Sequence, residues 1–170
     1  MLFNNAVARS GGELADTSVD EWESVMALNS KGLFLSCRIF SEPMIAQKYG
    51  SIVNVASIYG IVGPDFTICE GSPIHNSVSY AFAKGGMINL TRYLASYLAP
   101  QGIRVNTMSP GGVLTDQTPP RFIENYNRLA PMRRMANGAD LQGVAVFLAS
   151  DASAYVTEQN IAIDGGWPAI

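Results

Sequence analysis

Charge, histidine and cysteine are all scarce in this sequence. Of 170 residues, 15% are charged, one is histidine and two are cysteine. Cys37 and Cys69 stand apart with no CxxC spacing, which leaves neither a disulfide framework nor a zinc site. With His75 alone, metal chemistry has few ligands to draw on, and no metal site is expected. The net charge of −3 offers no basic footprint for nucleic acid. The one short basic run, Arg133-Arg134 in "MRRM", reads as a solvated loop. No apolar stretch approaches the roughly 18 residues that a membrane span needs. The N-terminus lacks the basic region and apolar core of a secretory signal. These absences leave a cytoplasmic globular protein as the expectation, with no membrane or nucleic-acid partner.

What is present is apolar and periodic. Hydrophobic residues make up 48% of the chain, enough to bury one sizeable core. Short apolar or β-branched runs occur at "MLF", "SIVNVAS", "IRVNTMS" and "NIAID", each followed by polar or Gly-rich residues, which predicts four strands. Between them lie helical stretches. Ser18 with Glu21 three residues on predicts a capping box opening a helix over about 19–47. "SVSYAFAKGGMINLTRYLASYLA" predicts a second helix over about 77–98, stopped by Pro100 and Gly102. "ADLQGVAVFLASD" predicts a third. Strands separated by helices imply an α/β, doubly wound, mostly parallel sheet with helices on both faces. In such sheets ligands sit beyond the carboxyl ends of the strands. That draws attention to Asn4-Asn5, Ser57, Pro110-Gly111 and Asp164-Gly165-Gly166.

The sharpest local feature is "SYAFAKGG", with Tyr80 and Lys84 at i, i+4 on one helix face. A lone phenol has a reference pKa of about 10, and a neighbouring ammonium favours its phenolate, so such a pair can serve as a tuned acid/base. The same spacing also fits an ordinary helix pair with Lys in solvent. Ser57 closes a strand, where its hydroxyl is either a turn former or a group presented at the sheet edge. Asn29 is an awkward residue for a helix interior; it can bond locally, or bind water and pass protons inward. "SPGGVLT" offers backbone groups and Thr115 to a ligand, or is simply a turn.

Taken in order along the chain, "NNA", "NSKG", "NVAS", "YAFAK", "RVNTMSPGGVLT" and "FLASDASAYVTEQNIAIDGG" resemble the short-chain dehydrogenases/reductases over essentially all 170 residues. The resemblance implies a Rossmann-like domain in which an Asn-Ser-Tyr-Lys tetrad catalyses hydride transfer between NAD or NADP and an alcohol or carbonyl. Tyr80 matches the general acid/base, and Lys84 the lysine that tunes it and holds the nicotinamide ribose. Ser57 matches the hydroxyl that orients the substrate oxygen, and Asn29 the anchor of a proton-relay water. Asn4 and Ala6 match a cofactor-side turn; Pro110, Gly111, Val113 and Thr115 match the loop at the nicotinamide carboxamide. Residues 116–135 correspond to the variable substrate loop. His75, in the stretch before Tyr80, reads as a solvated loop residue. The helices near 19–47 and 77–98 match those that pair in family homo-oligomers.

Three departures stand out. Val7 and Glu158 occupy positions where the family has Gly in its "NNAG" and "VTGQ" turns. The third is larger: no stretch matches the glycine-rich T-G-x-x-x-G-x-G turn that receives the pyrophosphate. This predicts an incomplete domain over 1–170, with the first three family strands missing and "MLF" as the fourth, left as an apolar edge. It also predicts that the chain alone binds dinucleotide poorly and turns over slowly or not at all, with the segment that selects NAD or NADP absent. "DFTICEG" and "INLTRYLAS" are similar to bacterial members acting on sugars, which points to a small polar, sugar-like substrate. Two other readings are a non-catalytic chain that associates with a complete homologue, and a 3-oxoacyl-carrier-protein reductase.

Overall fold

The computed structural model describes residues 1–9 and 12–169. Four strands, β1 (Leu2–Asn4), β2 (Gly50–Val55), β3 (Ile103–Pro110) and β4 (Asn160–Ile163), form one sheet in the order β1-β2-β3-β4, all pairs parallel. Because side chains alternate along a strand, each face of the sheet builds its own core. Ile52, Ile103 and Val105 point to one face, against Leu33, Cys37, Met87 and Leu98 of two long helices. Val53 and Met108 point to the other, against Leu148. The architecture is therefore α/β with helices on both faces, as the strand–helix alternation predicts.

The first helical stretch is not uniform. Helix α1 (Val19–Met26) passes through a π-helical turn at Ala27–Gly32 into α2 (Leu33–Gln47). The predicted capping box is present: Ser18 Oγ accepts from the Glu21 N–H, and the Glu21 carboxylate accepts from the Ser18 N–H at 2.9 Å. Helix α3 (Val78–Leu98) starts on the Ser77 cap and runs out through a 3₁₀ turn to Gly102, at φ 76°, where the chain turns into β3. Helix α5 (Gly138–Ala149) starts on a second capping box, Asn137 with Asp140. Sequence reading missed α4 (Pro120–Leu129), which folds out of the segment treated as a variable loop.

Strand β1 lies at one edge of the four-stranded sheet. Leu2 and Phe3 pack partly against the two cores, one on each face. Its last residue, Asn4, is tied inward through a chain of polar groups. Ser36 Oγ donates to Asn4 Oδ1 at 2.6 Å, and Asn4 Nδ2 donates to Asn54 Oδ1 at 2.8 Å. Asn54 Nδ2 and Thr107 Oγ1 each donate to Thr91 Oγ1 at 2.8 Å, and Thr91 donates in turn to the Met87 carbonyl. The Thr91 hydroxyl thus accepts twice and donates once, its full capacity. This network locks β1, β2, β3 and α3 together beneath the carboxyl end of the sheet.

The two substituted glycine positions behave differently. Val7 is not among the described residues with positive φ, so its branched side chain sits on an ordinary backbone. Glu158, by contrast, has φ 68°, in the left-handed region that disfavours any Cβ. Its side chain is exposed, while its N–H donates to the Val105 carbonyl at 2.8 Å. Glu158→Gly keeps that bond and removes the strain. The expected gain is about 1 kcal/mol in urea unfolding. A loss of stability in this variant would contradict the assignment of strain.

Candidate active site

The carboxyl ends of β1, β2 and β3 open onto one cavity of about 630 Å³. Each wall follows from a local packing requirement. Ser57 continues β2 in extended conformation and caps the turn Ile58–Gly60, its Oγ accepting from the Tyr59 N–H at 3.2 Å. Gly60 allows that turn to lie directly on α3: a Cβ there would meet the Lys84 carbonyl oxygen at 2.7 Å. The missing side chain is what brings Ser57 beside Tyr80 and Lys84, which stand in the first two turns of α3.

Lys84 is 3% exposed, with Nζ donating to the Val55 carbonyl at 2.5 Å and lying 5.5 Å from the centre of the Tyr80 ring. Burial, with the nearby Arg9 charge as the second cause, lowers its pKa from 10.5 to about 8. The third wall is the loop after β3. Tyr126 of α4 lies flat against Gly111 and Gly112, where a Cβ would come within 2.6 Å of it, and its hydroxyl accepts from the Gly112 N–H at 2.8 Å. Trp167 stacks on the far side of Tyr126, ring centroids 4.6 Å apart. The two glycines are thus required by an aromatic stack, and α4 is the element that shapes the cavity's floor.

The structure brings together Ser57, Tyr80, Lys84, Pro110, Gly111, Val113 and Thr115, all of which line the cavity. It does not bring Asn4, Ala6 or Asn29 to the cavity surface. Asn4 belongs to the buried network, and the neighbouring Asn5 and Val7 line the cavity instead. Asn29, 3% exposed in the π-helical turn, has both its carboxamide oxygen and its nitrogen bonded to one residue. It accepts from the Ala8 N–H and donates to the Ala8 carbonyl, both at 2.8 Å. The side chain therefore anchors the segment after β1.

That segment delivers a residue that sequence reasoning missed. Arg9 lays its guanidinium over the Tyr80 ring, 4.6 Å from the centroid, and Nη2 donates to the Tyr80 hydroxyl at 3.2 Å. His75, read as a solvated loop residue, is exposed but also borders the cavity. Asn76, beside it, is 8% exposed and lines the same space. The one available signal for Arg9 was its place just past the carboxyl end of a strand.

Comparison with known proteins identifies the family. A family model described as enoyl-(acyl carrier protein) reductase matches residues 1–168. Galactitol 2-dehydrogenase (L-tagatose-forming) of Cereibacter sphaeroides is 34% identical over 174 residues, covering 98% of this chain and 65% of its own length. A short-chain dehydrogenase from Leptospira borgpetersenii, solved with bound NAD+, is 38% identical with TM-score 0.85, covering 98% of this chain and 64% of the other. A protein of Beutenbergia cavernae named a putative NAD(P) dependent gluconate 5-dehydrogenase, solved with NADP at low occupancy, is 33% identical with TM-score 0.88, covering 99% of this chain and 66% of the other. The chain thus spans 64–66% of the length of these relatives. With the ordered motifs, the parallel sheet and a family model that matches residues 1–168, this chain belongs to the short-chain dehydrogenase/reductase family.

Proposed function

We propose that the protein is an NAD(P)-dependent oxidoreductase acting on an alcohol or carbonyl of a small polar, sugar-like substrate. The observation that carries this reading is the convergence of Ser57, Tyr80 and Lys84 on one cavity at the carboxyl edge of a parallel sheet. The residues present fit the nicotinamide end of a dinucleotide. Lys84 keeps two N–H donors beyond its bond to Val55, enough for ribose hydroxyls, and the Pro110–Val113 backbone borders the same space. No stretch of the sequence supplies the glycine-rich turn for the pyrophosphate, so the adenosine half has no matching receptor in these residues.

When bound, the nicotinamide supplies or accepts the hydride. The chain's residues handle the proton and the position. Tyr80 exchanges a proton with the substrate oxygen, and the Ser57 hydroxyl, free to donate while accepting from Tyr59, orients that oxygen. Lys84 keeps a positive charge beside the phenol below about pH 8. Asn29 acts one step removed: by holding Ala8 it places Arg9 against Tyr80. The related galactitol and gluconate dehydrogenases support a polyol-like substrate.

A carrier-protein reductase, the activity in the matched family model's description, has less support from the surface. Arg134, one of the two candidate docking cations, is already paired with Asp140 at 2.7 Å. Phe34, Ile39 and Phe40 of α2 and Phe82, Tyr93 and Tyr97 of α3 are exposed, which supports packing of a second copy on these helices. The direct test of the function is whether deuterium on the nicotinamide ring of NADH or NADPH reaches the product alcohol of a ketose.

A further inference from the structure

The cavity carries charge of one sign. Among the described residues lining it, Arg9 and Lys84 are cations and none is Asp or Glu, in a chain of net charge −3. Lys84 is buried and bonded to Val55. Arg9 is exposed and in no ion pair; those among the described residues are Arg121 with Glu124 and Arg134 with Asp140. A guanidinium presents five N–H donors in a fixed fork, and the Tyr80 hydroxyl occupies only one of its two outer nitrogens. An unpaired guanidinium fork beside the Tyr80 hydroxyl, with no carboxylate among the described lining residues, describes a site for an anionic oxygen ligand.

We propose that the substrate carries a carboxylate close to its reacting oxygen, paired with Arg9. Since Arg9 touches the Tyr80 hydroxyl, the carboxylate lies within a carbon or two of the carbon that exchanges hydride. The substrate class is then a hydroxy or oxo acid built on a polyol, not a neutral sugar. Arg9 is the specificity residue in this assignment. It rests on the reading of Tyr80 as the group that meets the substrate oxygen.

His75 is the sole histidine of the chain and borders the cavity, so its ring protons in NMR of the untagged protein report on this site alone. Gluconate, glucitol and inorganic phosphate are the probes, titrated separately at fixed pH. Gluconate is expected to shift the His75 signals saturably, at a concentration at least about tenfold below that needed for glucitol. Arg9→Met is expected to erase that preference, and Arg9→Lys, which keeps the charge but loses the fork, to retain part of it. Three results overturn the proposal: equal affinity for glucitol and gluconate (absence of binding by either included), gluconate binding unchanged in Arg9→Met, or phosphate saturating below gluconate. The last would assign the cation to a phosphate group. The readout is binding, so an enzyme inactivated by Tyr80→Phe still reports on it. Failure here and failure of the hydride-transfer reading are thereby distinct.

Discussion

Tyr80→Phe is expected to lower kcat by about a thousandfold in any assay in which the protein turns over a carbonyl substrate. Loss of a positioned acid/base typically removes 10²- to 10⁴-fold, and here no other phenol or carboxylate is placed to replace it. Tyr59 and Tyr126 also line the cavity, but burial raises the pKa of both, and the Tyr126 hydroxyl is bonded to the Gly112 N–H. The substitution is mild for the fold. Its only hydrogen bond lost is the one from Arg9, and the ring beneath the Arg9 and Lys84 charges remains. KM is expected to change little while kcat falls, the pattern of an interaction made in the transition state. Initial rates with an unfolding curve for each protein check it. A variant within a few-fold of the parent rate would remove Tyr80 from the role assigned to it.

Lys84→Met is expected to separate function from stability. The depression from 10.5 to about 8 corresponds to about 3 kcal/mol against keeping the charged form in the fold. Removing the amine also removes its bond to the Val55 carbonyl, which returns about 1–3 kcal/mol of cost. The net expectation at pH 7 is a variant more stable by about 1 kcal/mol and much less active. The pH dependence fixes the sign. Below pH 8 the lysine is charged in both states and the folded chain bears the full penalty. Between about 8 and 10.5 the folded chain sheds the proton and the unfolded chain keeps it, so the parent gains stability as pH rises. Urea melts at pH 7 and pH 10 should therefore show the variant's advantage shrinking or reversing at the higher pH. An advantage independent of pH, or a variant already less stable at pH 7, would contradict a buried, charge-penalised Lys84.

Much of this was legible because it is written locally. The four strands, the capping box at Ser18, the stop at Gly102 and the Tyr80–Lys84 spacing are short-range patterns of hydrophobicity, caps and turns. Residues tied to strand ends, Ser57 and Pro110-Gly111, follow from the rule that ligands meet a parallel sheet at its carboxyl edge, and Val113 and Thr115 from the family resemblance. What escaped depends on tertiary contact. Asn4 and Asn29 are polar residues at the right sequence positions, yet their amides are bound to Asn54, Ser36 and Ala8, partners up to 50 residues away. Helix α4 hides in a segment rich in proline and polar residues, and its worth lies in Tyr126 packing on two glycines. Arg9 follows no periodicity; only the Asn29–Ala8 clamp explains why it lies over Tyr80.

The transfer proposed for this cavity moves a hydride between a nicotinamide and a substrate carbon. It is tested most directly with the protein in excess over a ketose or oxo acid, and with NADH or NADPH deuterated on the nicotinamide ring at high concentration, so that weak holding of the adenosine half does not mask the chemistry. The expected product is an alcohol carrying the label on its former carbonyl carbon, with none from the Tyr80→Phe protein. A folded parent protein that yields no labelled alcohol across a panel of such substrates would contradict it.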